Sequence, residues 1–225
     1  MAVLVAGGTG ALGGAVLRDL LDAGYDVSST WLVDRERERI ESGLGGRVTL
    51  IQADLFDDDA ATAAVDAVPD LEGVVNLVGG FAAGPKVHET PSEEFARLIR
   101  LNVEPAFRLA RAAMPRLVER GGGAFVGVSA RTAIQPFSGG AGYAVGKAAV
   151  LTFIQALDTE YKADGVRCNA VLPSVIDTPA NRAATPDADF SKWVPPEQIA
   201  RVIRFLVSEE SAPVSGAGIP VYGRA

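Results

Sequence analysis

The chain is short of the residues that build metal centres and disulfide frameworks. Its 225 residues contain one cysteine, Cys168, and one histidine, His88. A single cysteine excludes a disulfide within the chain and a thiolate zinc cluster, and a single histidine excludes a two-histidine metal site. Positive charge is also scarce: 21 Lys and Arg stand against 28 Asp and Glu, a net charge of −7. A nucleic-acid binder would show a basic face, so none is expected as partner. Membrane-spanning runs are missing too. Residues 1–17 carry no charge, but they lack a basic start, and five glycines interrupt them, so they do not read as a signal peptide. The expectation is a cytoplasmic protein with no membrane partner.

What the chain has is alternation. Short apolar runs (Ala2–Ala6, Val27–Leu32, Val48–Ala53, Gly73–Val78, Ala124–Ser129, Val166–Leu172, Gly218–Val221) read as strands. Between them lie helical patterns at Ala11–Ala23, Asp34–Glu41, Ala60–Ala67, Ser92–Leu101, Val103–Arg120, Gly142–Lys162 and Pro196–Val207. Apolar strands alternating with helices predict an α/β Rossmann-type fold: a doubly wound parallel sheet of about seven strands, helices on both faces, ligands at the carboxyl ends of the strands. We expect one dinucleotide-binding and catalytic domain over residues 1–225, with an irregular substrate loop at about 173–195.

Directly after the first apolar run comes Gly7-Gly-Thr-Gly-Ala-Leu-Gly13, which contains Gly-x-Gly-x-x-Gly at Gly8, Gly10 and Gly13. The strand before it and the helix after it are the context that gives this pattern meaning. Glycines allow a tight turn and close backbone approach to a pyrophosphate, and the helix N-terminus offers unpaired N–H groups. At the end of the second strand, where an acidic residue would meet a ribose 2′-hydroxyl, stands Trp31. Arg35 and Arg37 follow; each reads either as a partner for a 2′-phosphate or as a solvated helix charge. NADP is the expected cofactor, NAD the alternative. Asp54-Leu55 and Asn76-x-x-Gly79 end the third and fourth strands, as ligand contacts or as turn formers.

Tyr143-x-x-x-Lys147 places both side chains on one helix face. A lysine cation there favours the phenolate and lowers the phenol pKa, which makes Tyr143 a usable acid or base. Ser129 ends the fifth strand, where a hydroxyl can hold a developing alkoxide. Asn102, between two helical stretches, can interrupt the hydrogen-bond ladder and position a water against the lysine.

Together these residues make the chain resemble the short-chain dehydrogenase/reductase family, in its compact single-domain branch. Gly7–Gly13, Asp54-Leu55, Asn76-x-x-Gly79, Asn102, Ser129, Tyr143-x-x-x-Lys147 and Asn169-x-x-x-Pro173 carry the resemblance, which covers essentially the whole chain. It implies NAD(P)-dependent hydride transfer with a carbonyl or alcohol substrate. Tyr143 would be acid/base and Lys147 would also bind the nicotinamide ribose. Ser129 would orient the carbonyl, and Asn102 would complete a proton relay. Thr9, Gly10, Ala11, Leu12 and Gly13 would hold the cofactor phosphates, and Pro173, Ile176 and Thr178 the nicotinamide end. A homodimer or homotetramer is implied, formed by the helices bearing Phe107, Leu109, Leu151, Phe153, Ile154 and Leu157. Ala11 and Ser174 depart from the usual glycines of that branch.

A narrower resemblance, in Val171–Arg182, Pro186–Trp193 and Gly79-Gly-Phe-Ala-Ala-Gly84, is to dihydropteridine reductases. Ser129 and Trp31 both depart from that group. Other readings are a 3-oxoacyl thioester reductase and a catalytically silent dinucleotide sensor. His88 reads as a solvated loop residue, Cys168 as a small core residue and Asp57–Asp59 as a helix start. Phe190 and Trp193 either fold over the substrate or pin the loop.

Overall fold

A computed structural model of the chain describes residues 1–224. Its frame is a seven-stranded sheet in the order β3-β2-β1-β4-β5-β6-β7. The strands are β1 (Ala2–Ala6), β2 (Asp26–Trp31), β3 (Thr49–Gln52), β4 (Leu71–Asn76), β5 (Gly123–Val128), β6 (Val166–Pro173) and β7 (Gly218–Val221). Every pairing is parallel. Parallel neighbours need a crossover, and the helices supply it: α1 (Ala11–Asp22), α2 (Asp34–Leu44), α3 (Asp58–Asp66), α4 (Ser92–Glu119), α5 (Ala141–Tyr161), α6 (Pro179–Ala184) and α7 (Pro196–Val207).

Each face of the sheet has its own core. Val3 and Val5 of β1 pack with Leu17 and Leu20 of α1 and Ile199 and Ile203 of α7. The alternate residues Leu4 and Ala6 pack with Leu109, Met114 and Leu117 of α4 and Ile154 of α5. This period-two division of β1 is why the strand is apolar throughout. The strand order reverses between β1 and β4, and there the chain leaves the sheet in opposite directions and opens a crevice at the carboxyl ends.

Two expectations need correction. The helical stretches Ser92–Leu101 and Val103–Arg120 are one 28-residue helix, α4, and Asn102 lies inside it. The side-chain amide of Asn102 donates to Leu98 O, four residues back, so it follows the helix and does not break it. The gaps in the ladder fall at Pro105 and Pro115, which have no N–H to give to the Leu101 and Arg111 carbonyls. The segment 173–195 is also not structureless: it contains α6, capped by the Thr178 side chain, and a short 3-10 turn at Phe190–Lys192. A parallel bridge between Ile176 and Val194 and an ion pair between Arg182 and Asp177 close this segment on itself.

Candidate active site

The crevice begins at the glycine loop. The loop leaves β1 at Gly7 with φ +76°, and the Gly7 amide donates to Thr30 Oγ1 on β2. Gly8 has no room for a side chain: a β-carbon would overlap Ser29 Oγ and come within 3.1 Å of the Leu17 methyls. At Gly13 a β-carbon would overlap the Gly8 carbonyl. At Gly10, the residue before α1, it would clear the nearest atom by 3.4 Å. Gly8 and Gly13 are therefore glycine for packing, and Gly10 leaves an open approach to the helix N-terminus. Ala11 and Leu12 open α1, and Leu12 reaches the wall of the main cleft. Such a cradle fits the pyrophosphate of a dinucleotide.

The end of β2 is arranged differently from the sequence expectation. Trp31 does end the strand. Arg37, expected to be available to a phosphate, lies over the Trp31 ring at 5.1 Å and bonds to Glu41 at 2.9 Å. Arg35 is exposed. Two further residues of α2 reach the glycine loop: Glu36 accepts a hydrogen bond from Thr9 Oγ1, and Arg39 donates to the Thr9 carbonyl. Neither was singled out from the sequence, nor was Thr30. The available signal was the run Ser28-Ser-Thr30, three buried polar residues in a strand that should be apolar. Buried hydroxyls need partners: Thr30 Oγ1 accepts from the Gly7 amide of the neighbouring loop, and Ser29 Oγ donates to the Thr30 carbonyl.

Asp54 Oδ1 accepts from the Phe56 amide and Asn76 Oδ1 from the Val78 amide, both turn-forming bonds. Leu55 is buried in the core. Asn169 ties β6 to the approach of β7 through Val214 O and Ala217 N.

The Ser129, Tyr143, Lys147 and Gly79 side of the crevice is a cavity of about 660 Å³, walled also by Pro173 and Ile176. Thr178 is buried beside it as the α6 cap. Asn102 is fully buried, and its amide also grips Gly80: Nδ2 donates to Gly80 O and Oδ1 accepts from Gly80 N. Its side chain is thus committed to backbone, and it fixes the loop after β4. A β-carbon at Gly79 would lie 2.6 Å from Asn102 Oδ1 and 3.0 Å from Lys147 Nζ, so only glycine lets the three converge.

Lys147 is buried, and Nζ donates to Val128 O at 3.0 Å. Burial lowers its pKa from 10.5 to about 8. Nζ sits 5.9 Å from the Tyr143 ring centre. The expected depression of the tyrosine is not what the structure shows: burial pushes the phenol up to about 12. Desolvation prevails because the ammonium is directed at Val128 O. Tyr143 is therefore a neutral phenol near pH 7 and able to give a proton. Ser129 Oγ donates to the Lys147 carbonyl at 2.7 Å. Its hydrogen is engaged, and its lone pairs are the acceptors left.

Phe81 meets Tyr143 edge-on, ring centres 5.0 Å apart. Trp193 lines the cavity and carries Phe190 at 4.7 Å. One ring faces the cleft and the other backs it, so the pair both covers and pins. His88 is an exposed loop residue, and Cys168 is buried, its thiol pushed up to about 12 by desolvation. Asp57 caps α3 by accepting from the Ala60 amide. Among the described residues no three His, Cys, Asp or Glu side chains gather as a metal site, and no helix is long and apolar enough to cross a membrane.

The sequence profile described as short chain dehydrogenase matches residues 1–189. The chain is 26% identical over 217 residues to 2-(R)-hydroxypropyl-CoM dehydrogenase of Xanthobacter autotrophicus, covering 89% of this chain and 86% of that one. It is 27% identical over 237 residues to an acetoacetyl-CoA reductase of an Acinetobacter species, covering 98% and 95%. Among solved structures, a short-chain type dehydrogenase/reductase from Mycobacterium ulcerans superposes with a TM-score of 0.93 at 29% identity, over 99% of this chain and 88% of that one.

Proposed function

The chain belongs to the short-chain dehydrogenase/reductase family, a family of NAD(P)-dependent oxidoreductases, and we propose that it reduces the carbonyl of a small molecule, or oxidises the matching alcohol, with Tyr143 as general acid or base. The observation that carries this reading is the convergence of a half-buried neutral phenol, a buried lysine and a serine hydroxyl in one cavity beside the glycine cradle. When bound, NAD(P) supplies or accepts the hydride. Tyr143 gives its proton to the carbonyl oxygen as charge develops there, and takes it back in the reverse direction. Lys147 stabilises the phenolate left behind. Ser129 turns its hydroxyl from the Lys147 carbonyl to the substrate oxygen, and Asn102 positions the wall through Gly80.

NADP is the preferred cofactor in this reading. The support is the absence of a carboxylate at Trp31 and the basic groups Arg35 and Arg39, the latter already against Thr9. The exposed Phe107, paired with Phe153 on the outer side of α4 and α5, supports a homodimer or homotetramer built on these helices.

Turnover of ketones and quinonoid dihydropterin with NADPH and with NADH tests the assignment. Tyr143→Phe should lower kcat/KM by about 100- to 10,000-fold, with cofactor affinity little changed. Ser129→Ala should lower ketone reduction at least about 100-fold, because the hydroxyl that turns to the developing alkoxide is lost. A phenylalanine variant within a few-fold of wild type refutes the acid role. An active alanine variant that prefers the pterin points to a pteridine reductase.

A further inference from the structure

The cavity beside Tyr143 has an electrostatic character opposite to that of the chain. The protein carries a net charge of −7. Yet among the described residues no aspartate or glutamate lines this cavity, and its charged side chains are Lys147 and Arg131. Lys147 is buried and bonded to Val128 O. Arg131 has no such commitment. It lies two residues beyond Ser129, in the short 3-10 turn Arg131–Ala133 after β5. Its Nε donates to Gln135 Oε1 at 2.7 Å, and its guanidinium rests over the Tyr222 ring at 5.2 Å.

These two contacts orient the guanidinium plane without neutralising it. Among the described residues, its terminal nitrogens make neither a hydrogen bond nor an ion pair. Arg37, Arg97, Arg108, Arg116, Arg182 and Arg204 each hold a carboxylate, whereas Arg131 holds none and is the one arginine among the described residues that lines this cavity. An oriented guanidinium with a free two-nitrogen edge matches a carboxylate bidentately.

Part of the lining is apolar. Phe81 and Phe137 stand 6.3 Å apart at the mouth of the cavity, 65% and 40% exposed. Exposed paired rings beside a concave site gain contact when a flat apolar body enters.

We propose that the substrate is a carboxylate-bearing carbonyl compound with a planar apolar body, its carboxylate held by Arg131 and its body by Phe81 and Phe137. This rests on the carbonyl-reductase reading of the same cavity, and it adds the charge and shape of what enters. Arg131 selects the substrate and takes no part in proton transfer.

The test compares 4-carboxybenzaldehyde with its methyl ester, which have the same ring and aldehyde but differ in charge. Binding to the cofactor-free protein is measured by calorimetry, and turnover by nicotinamide absorbance. A charge-assisted bond to the guanidinium should make the acid bind at least about tenfold more tightly than the ester. Added salt should narrow the preference, since the group is partly exposed. In Arg131→Met the acid-to-ester ratio should fall to about one, and Arg131→Lys should restore part of it, which separates lost charge from a damaged fold. An acid that binds no better than the ester in wild type overturns the proposal, as does a ratio unchanged in the methionine variant. An Arg131-dependent preference in binding with no turnover by either cofactor upholds the anion site and rejects the reductase reading instead.

Discussion

The glycine loop and the tyrosine helix face one crevice, but they are specified by different physics. The loop is a steric object. Gly8 and Gly13 are fixed because a β-carbon at either would run into Ser29 or into backbone, and the rest of the loop follows from that. The Tyr143 side is an electrostatic one. Its groups are set by what they have lost, water, and by the few carbonyls that replace it: Val128 O for Lys147, Lys147 O for Ser129, Gly80 for Asn102. The steric requirement between Gly13 and Gly8 acts within five residues and leaves a spacing behind. Hydrogen-bond requirements are met by whichever backbone the topology brings near, and they leave no spacing.

The largest effect should come from breaking the steric side. Gly13→Ala places a methyl against the Gly8 carbonyl, where only backbone can yield. We expect an unfolding free energy lower by about 3 kcal/mol and dinucleotide affinity weaker by at least about 100-fold, since a shift of the loop moves every N–H aimed at the phosphates. Gly10→Ala is the control: its methyl finds the Gly7 carbonyl at 3.4 Å, so stability should stay within about 0.5 kcal/mol while the cofactor loses its close approach. Denaturant unfolding and calorimetric binding of NADPH read both. Equal behaviour of the two variants would show that the cradle is not sterically specified.

The same contrast explains what the sequence discloses. The alternation of apolar strands and helices predicts the parallel sheet, because burial on two faces demands a continuous run, as in β1. Gly7–Gly13 were legible from their steric spacing, and Tyr143 and Lys147 from the four-residue spacing of one face of α5. The continuity of α4 through Asn102 was not. Asn102 reads as a helix breaker by residue type, but a burial that satisfies it through Leu98 and Gly80 depends on β4 lying alongside. The polar contacts of Thr30, Glu36 and Arg39 span 23 to 30 residues, and no periodicity records them. The carboxylate partners that remove Arg37 from the cofactor are equally invisible as a set, although each lies within one turn of α2.

A middle-sized effect should sharpen the electrostatic side. Lys147 falls from 10.5 to about 8 on burial. Below pH 8 both folded and unfolded chains carry the proton, and folding bears the full cost of burying the charge, on the order of 3 kcal/mol. Between pH 8 and 10.5 the unfolded chain holds a proton that the folded one has lost, so this cost shrinks as pH rises. Lys147→Met should therefore raise the unfolding free energy of the cofactor-free protein at pH 7 by about 1–3 kcal/mol, after loss of the bond to Val128 O. The gain should fade by pH 10.5, and turnover should be lost throughout. A methionine variant less stable than wild type at pH 7 would mean that the Val128 bond outweighs desolvation.

The smallest effect lies one residue past the cradle and should have the opposite sign. Gly14 is inside α1, with a helical backbone and no crowding: a β-carbon there would lie 3.5 Å from Ile40 Cδ1, an ordinary contact. Glycine in a helix interior costs about 0.5–1 kcal/mol relative to alanine. Gly14→Ala should therefore stabilise the protein by about that amount. It should leave dinucleotide affinity unchanged, because the loop conformation is set by Gly8 and Gly13. The contact with Ile40 gives this small substitution a second use. Ile40 belongs to α2, the helix whose Glu36 and Arg39 reach Thr9. If the added methyl pushes α2 away, the gain in stability will be accompanied by weaker cofactor binding, and unfolding and binding titrations on the one variant will show both. Affinity retained with stability gained would place the boundary of the steric region between Gly13 and Gly14, two adjacent glycines of which only the first has a β-carbon's volume already filled by backbone.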